Sequence, residues 1–194
     1  MKQHHTPTNV VVIFHSGYGH TKRMAEAVAE GSSAKLISIN QEGEISDKDW
    51  EDLVNADAII FGSPTYMGGP SWQFKKFADS SSKAWFQGHW QNKIFGGFTT
   101  SASINGDKLN TLNYFVLLAA QHGGVWVTMD IKPANLKSSD RNDLNWMGSY
   151  IAPMGQTPAD ASTEEMFAGD LETARLYAAR VASIAERMRL SDSE

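Results

Sequence analysis

Short runs of apolar residues alternate along the chain with segments whose apolar residues recur every three to four positions. The runs are rich in β-branched and aromatic residues at consecutive positions, as strands buried on both faces are. Five strands are predicted, at residues 9–15, 35–39, 57–62, 93–98 and 125–129. Helices are predicted at 21–32, at 47–55, from Pro70, at 108–121 and from about residue 169. The alternation predicts an α/β fold with three α/β/α layers around a doubly wound, five-stranded parallel sheet.

The predicted strand order, 2-1-3-4-5, indicates where a ligand would bind. In such a sheet ligands bind beyond the carboxyl ends of the strands, at the point where the strand order reverses. The loops after the first, third and fourth strands meet at that point. A long irregular stretch from Asp130 to Ala168 follows the last strand, and we expect it to add either to the pocket or to a contact between subunits.

The loop after the first strand, Ser16-Gly-Tyr-Gly-His-Thr21, has the composition of an anion site. Free N–H groups at the start of the next helix, together with the helix dipole, favour a phosphate there. The loop lacks the Gly-Lys-Ser/Thr ending of a Walker loop, and Lys22 stands where a dinucleotide loop has its third glycine. A mononucleotide such as FMN remains as the ligand, and a plain strand-to-helix turn is the alternative.

The other two loops have the composition that a flat ring system needs. The loop Gly62-Ser-Pro-Thr-Tyr-Met-Gly-Gly-Pro70 joins glycines and prolines to a tyrosine and a methionine. The loop Thr99-Thr-Ser-Ala-Ser-Ile-Asn-Gly-Asp107 carries four hydroxyls in its first five residues. A ring needs backbone groups that come close and side chains that lie against its faces, and these loops offer both.

Composition narrows the classes of function. The 194 residues are 41% hydrophobic and 20% charged, as in a globular protein, and one domain is predicted at 9–190 after a flexible tail at 1–8. A net charge of −5 argues against a nucleic-acid partner. No apolar run reaches the ~18 residues of a membrane span, so no membrane partner is expected. With no cysteine, thiolate chemistry and Cys-based metal sites are excluded, and no metal site is predicted. A cytoplasmic location is expected.

Three motifs together resemble a known family. Ser16–Thr21, then Pro64-Thr-Tyr-Met-Gly68, then Gln121-His-Gly-Gly124 occur in the order of the flavodoxin-like NAD(P)H:quinone oxidoreductases of the tryptophan-repressor-binding-protein type. The resemblance covers about Val10 to Val127. The segment from Gly169 to Tyr177 is similar to the last helix of many flavodoxin-family reductases. The resemblance implies a flavodoxin-like fold and FMN as cofactor.

The resemblance also implies a role for particular residues. The first motif would hold the phosphate, the second would wrap the flavin ring, and the hydroxyl-rich loop would line its ribityl and pyrimidine side. His122 would lie beside the flavin and act in catalysis with Tyr18, while Trp85 and Tyr66 would border the substrate, Trp85 across a subunit contact. The implied FMN-binding residues are Ser16, Gly17, Tyr18, Gly19, His20, Thr21, Pro64, Thr65, Tyr66, Met67, Gly68, Thr100, Ser101, Ala102, Ser103 and His122. The alternatives are that His122 caps a helix and that Trp85 is an ordinary lid on one.

The function implied by the resemblance is that of an FMN-dependent NAD(P)H oxidoreductase. Hydride would pass from NADH or NADPH to flavin N5 and on to a quinone or similar aromatic acceptor. The protein would act on small molecules as a homodimer or homotetramer. Two alternatives stay open, a flavodoxin-type one-electron carrier and a non-catalytic flavin-binding module. The charge of −5 is weak for a carrier that docks its partners through an acidic surface.

Overall fold

The sheet has the predicted parallel order. In the computed structural model, which describes residues 7–191, the strands are β1 (Val10–Phe14), β2 (Lys35–Ser38), β3 (Ala58–Tyr66), β4 (Gly69–Pro70), β5 (Ile94–Ser101), β6 (Val125–Trp126) and β7 (Met154–Gln156). The order along the sheet is β2-β1-β3-β5-β6, with all four pairings parallel. Because β4 lies off this path, the order is that of the predicted 2-1-3-4-5 sheet, and the flavodoxin-like fold is confirmed.

Helices cover both faces of the sheet. They are α1 (His20–Ser32), α2 (Asp47–Asn55), α3 (Trp72–Ser80), α4 (Ser82–Phe86), α5 (Lys108–Gln121) and α6 (Ala168–Ser191). Helices α1 and α6 pack on each other over one face. Aromatic contacts connect α2, α3 and α5 over the other face, where Trp50 stacks on Phe77 and Phe74 contacts Phe115. The predicted three-layer architecture follows from this arrangement.

Two short strands depart from the predicted five-stranded sheet. β4 folds back antiparallel on the end of β3, which is longer than predicted. The predicted strand at 125–129 ends at Trp126. Beyond it, the carbonyl of Val127 accepts a hydrogen bond from the phenol of Tyr177, and the N–H of Met129 donates to the backbone carbonyl of Tyr150. The place that it leaves beside the end of β5 is taken by β7, which comes from the irregular stretch 130–168.

The core follows the strands. Every residue of β1 is buried, and in β3 only Tyr66 at the end is exposed. No helix within residues 7–191 has both the length and the apolar character that crossing a membrane requires. The predicted tail at 1–8 lies outside the described residues except for Pro7 and Thr8, and the single domain at 9–190 stays a prediction.

The packing of α1 on α6 requires a glycine at residue 31. A Cβ there would lie 1.9 Å from the carbonyl oxygen of Arg175 in α6. We expect Gly31→Ala to lower the free energy of unfolding by about 1–3 kcal/mol in urea titrations, as overpacking does. Helix propensity alone predicts the opposite sign, about 1 kcal/mol of stabilisation. Gly69→Ala is the control, since no atom lies within 4 Å of its added Cβ; equal stability of wild type and Gly31→Ala would contradict this account.

Candidate functional site

The carboxyl ends of β1, β3 and β5 open into a cavity of about 570 Å³. This volume is within the range of about 300–1,000 Å³ typical of cofactor pockets. The three loops that were predicted to meet all contribute to its walls. The residues that line it are Tyr18, His20, Thr21, Pro64, Thr65, Tyr66, Met67, Gly68, Thr100, Ser101, Ala102, Ser103, Gly106, Thr157 and Ala159.

The loop between β1 and α1 presents backbone donors. Gly19 precedes α1 with φ of 96°, a left-handed conformation that favours glycine. Ser16 Oγ accepts hydrogen bonds of 3.1 Å from the N–H groups of Gly19 and Lys22, which fixes the loop. The N–H groups of His20 and Thr21 lie in the first turn of α1, where a helix offers no acceptor of its own. With no acidic side chain in that turn, the helix start favours an anion.

Buried hydroxyls tie the loops together. Thr21 Oγ1 lies 2.7 Å from Thr100 Oγ1 and joins the phosphate loop to the end of β5. Thr65 Oγ1 lies 2.8 Å from Thr99 Oγ1 and 2.7 Å from Thr111 Oγ1, so it connects β3, β5 and α5. These contacts hold the ends of β3 and β5 and the start of α1 at fixed spacing.

The rim of the cavity beside the loop between β1 and α1 is aromatic and open. Tyr18 is 82% exposed, and its ring meets Tyr66 edge to face at 6.3 Å between centroids. Burial raises the pKa of the Tyr66 phenol, which keeps it protonated at neutral pH. The hairpin of β3 and β4 carries Tyr66 and the fully exposed Met67 to the rim, and Asn110 Nδ2 donates to the carbonyl of Gly68 at 2.6 Å.

A fourth segment, from the irregular stretch 130–168 that was expected to add to the pocket or to a subunit contact, completes the walls. It follows β7 and contributes Thr157 and Ala159. The N–H of Thr157 donates to the carbonyl of Ser101 at 3.1 Å, and Gln156 Nε2 donates to that of Ala102 at 2.8 Å. The carbonyl of Ala161 lies 2.9 Å from His20 Nε2. In the sequence, the three-residue β7 is too short to stand out from its irregular surroundings.

Some predicted residues shape the site without lining it. Ser16, Gly17 and Gly19 belong to the phosphate loop but not to the cavity wall. Trp85 lies on α4, 51% exposed, and does not line the cavity of its own chain. Its place at a subunit contact, like the homodimer or homotetramer, stays a prediction.

The prediction for His122 needs correction. His122 ends α5 and lies just before β6, whose Val125 pairs with Ile94 at the amino end of β5. It therefore lies at the edge of the sheet opposite the cavity and is not among the lining residues. The buried ring packs 4.3 Å from Trp90, and Nε2 lies 2.9 Å from Ser81 Oγ. Within its own chain the ring therefore packs against Trp90 and Ser81 instead of the cavity. It also differs from the alternative of a cationic helix cap, because burial lowers the pKa of His122 to about 4.

Comparison with known proteins identifies the family. A family model described as NADPH-dependent FMN reductase matches residues 11–131. The chain belongs to this family. It is 51% identical over 181 residues to flavodoxin FldP of Pseudomonas aeruginosa, covering 93% of this chain and 98% of that protein. It is 30% identical over 203 residues to an NAD(P)H dehydrogenase (quinone) of Archaeoglobus fulgidus, covering 92% and 98%.

A solved structure is similar along its whole length. A WrbA-like flavodoxin from Agrobacterium tumefaciens superposes with a TM-score of 0.76 at 59% identity, covering 93% of this chain and 98% of that one. The family of FMN reductases supports FMN as the cofactor, and the cavity fits it: backbone donors at a helix start for a phosphate, hydroxyls for a polar chain, and tyrosines for a ring. FMN is the cofactor of this chain, and the residues of this cavity fit it.

His122 makes stability depend on pH. Burial lowers its pKa to about 4, below the 6.5 of the unfolded chain. The contribution of His122 to the free energy of unfolding is therefore fully present above about pH 6.5. It is lost as the pH falls towards 4, which lowers the free energy of unfolding by up to about 3 kcal/mol. We expect His122→Gln to flatten that decline in urea titrations at pH 7 to 4. The exposed His89, replaced by Gln, should leave the decline unchanged.

The same variant tests the corrected placement. If His122 only packs the helix end, the dissociation constant for FMN at pH 7 should stay within about twofold of the wild-type value. A pH decline as steep as that of the wild type, or a large loss of FMN affinity, would contradict this role.

Proposed function

We propose that the protein is an FMN-dependent NAD(P)H oxidoreductase that reduces a quinone or a similar aromatic acceptor. The observation that carries the proposal is the aromatic, open end of the cavity. Tyr18, Tyr66 and Met67 surround it, and Tyr18 and Met67 are almost wholly exposed. A flat donor or acceptor ring can stack on such a rim, whereas a cofactor enclosed on all sides could pass electrons only through the protein.

The chain's own residues bind and orient the cofactor. The start of α1 holds the phosphate through the N–H groups of His20 and Thr21, with the helix dipole behind them. Ser101 and Ser103 would offer polar groups to the ribityl chain and to the pyrimidine side of the ring, and the hairpin at Tyr66 would lie against the ring. When bound, FMN supplies the redox chemistry by accepting a hydride at N5 and passing two electrons onward.

The names of the relatives support two branches of this proposal. The family description and the quinone dehydrogenase of Archaeoglobus fulgidus favour a reductase. The 51% identity to a protein named flavodoxin favours a one-electron carrier as the second candidate. The reductase is preferred because of the open aromatic rim and because a net charge of −5 is small for docking by an acidic surface.

A titration of the reconstituted protein separates the two functions. We expect NADH or NADPH to bleach the bound flavin under anaerobic conditions, and an added quinone to restore its colour over many turnovers. Free FMN at the same concentration is the control for uncatalysed reduction. Dithionite should reduce the bound flavin in a single two-electron step. Two well-separated one-electron steps, with no bleaching by either nicotinamide, would establish the carrier instead.

Tyr18 tests the role of the rim. We expect Tyr18→Ala to lower kcat/KM for NAD(P)H at least about tenfold, because the donor loses its stacking surface. A tenfold loss corresponds to about 1.4 kcal/mol of transition-state binding. The dissociation constant for FMN should change less than threefold. Tyr150→Ala, at an exposed tyrosine that does not line the cavity, is the matched control and should leave both values unchanged. Equal losses of FMN affinity and turnover in Tyr18→Ala would assign the tyrosine to the cofactor alone.

A further inference from the structure

A buried lysine lies behind the hydroxyl-rich loop of the cavity. Lys108 begins α5, and its side chain is completely buried. Its Nζ donates to Ser101 Oγ at 2.9 Å and to the carbonyl oxygens of Ser103 at 2.7 Å and Ile104 at 2.8 Å. All three ammonium hydrogens are thus used on one loop, and two of the three acceptor residues, Ser101 and Ser103, line the cavity.

The charge of Lys108 is not cancelled by an adjacent carboxylate. The charged groups that face Nζ from neighbouring elements are Asp170 of α6 and Arg141 of the irregular stretch. These two pair with each other through hydrogen bonds of 2.8 and 2.6 Å, so their charges largely cancel. Within residues 7–191, no carboxylate forms an ion pair with Lys108 itself. Burial lowers the pKa of Lys108 to about 8, which leaves the ammonium mostly protonated at neutral pH.

The loop that binds the Lys108 ammonium forms part of the cavity wall. The peptide bonds of the described residues are all trans, so each N–H points away from the carbonyl that precedes it. With the carbonyls of Ser103 and Ile104 directed at Nζ, the N–H groups of Ile104 and Asn105 point to the opposite side of the loop. No Lys or Arg side chain lines the cavity among the described residues. Lys108 contributes a cation that is hydrogen-bonded directly to two residues of the cavity wall, Ser101 and Ser103.

We propose that Lys108 raises the reduction potential of the bound FMN by stabilising the negative charge that the cofactor gains on two-electron reduction. Reduction by two electrons with uptake of one proton leaves a negative charge on the pyrimidine side of the ring at neutral pH. A fixed positive charge in a buried setting favours that state over the neutral oxidised one. Lys108 acts through the loop and is a positioning residue. The proposal rests on the FMN site of the proposed function and not on its donor or acceptor.

The test compares the affinities of oxidised and reduced FMN. We expect Lys108→Met to weaken binding of reduced FMN at least about tenfold more than binding of oxidised FMN. For a two-electron couple, a tenfold difference in affinity corresponds to a fall in the midpoint potential of about 30 mV. Dithionite supplies the electrons and solvent the proton, so neither NAD(P)H nor quinone is needed. Lys108→Arg keeps the charge and should restore the potential.

Lys93 provides the matched control. It is also a lysine with a pKa lowered by burial, and its Nζ donates to the carbonyls of Val54 and Ala56 beside the amino end of β3. Lys93→Met should lower the free energy of unfolding and leave the potential unchanged. If Lys108→Met weakens both states of FMN equally and its potential matches the wild type, Lys108 only holds the loop and the proposal is overturned.

A second measurement covers the case in which Lys108→Met fails to fold or to bind FMN. Because the wild-type ammonium loses its proton above about pH 8, the wild-type potential should fall more steeply than that of Lys108→Arg between pH 7 and 9.5. Parallel pH profiles of the two proteins would overturn the proposal. Failure of FMN to bind the wild type would instead contradict the proposed function, so the two failures are distinguishable.

Discussion

The parallel pairing of β1, β3 and β5 is the constraint on which the rest of the structure depends. Phe14 pairs with Gly62, and Gly62 pairs with Phe98, so the three strands run side by side towards one edge. Each strand is apolar on both faces and is buried by helices from both sides. The loops that follow the three strands therefore all lie at that edge. The sheet sets the spacing of these loops, and the cavity lies between them.

Local signals in the sequence were enough to predict this part of the molecule. The continuous apolar runs predicted the strands, and the glycines and hydroxyls after Phe14 predicted the phosphate loop. Tyr18, Tyr66, Thr100 and Ser101 all line the cavity, because residues at the end of a parallel strand, or in the loop just after it, lie at the carboxyl edge of the sheet. The same rule explains the error at His122: a residue that precedes a strand lies at the amino end, whatever motif it resembles.

The parts that could not be predicted depend on contacts between distant segments. β7 is three residues long and has no periodicity of its own; it forms because β6 ends early and leaves the last residues of β5 unpaired. Thr157 reaches the cavity only through that pairing. Lys108 would be expected on the solvent side of its helix by residue type, yet it is buried, because three oxygen acceptors of the preceding loop surround its ammonium.

The placement of charge follows one physical logic. In the proposed site the phosphate would be bound by helix-start N–H groups, which need no counter-charge and fit the loop that carries no Lys or Arg. The ring end is open to solvent, where an ammonium on the wall would be hydrated and its field screened. Behind the loop, Lys108 is shielded from water, and its desolvation is offset by three hydrogen bonds. In the proposed site, a cation placed there would stabilise negative charge on the ring while leaving the rim at Tyr18 and Tyr66 apolar enough to stack a second ring.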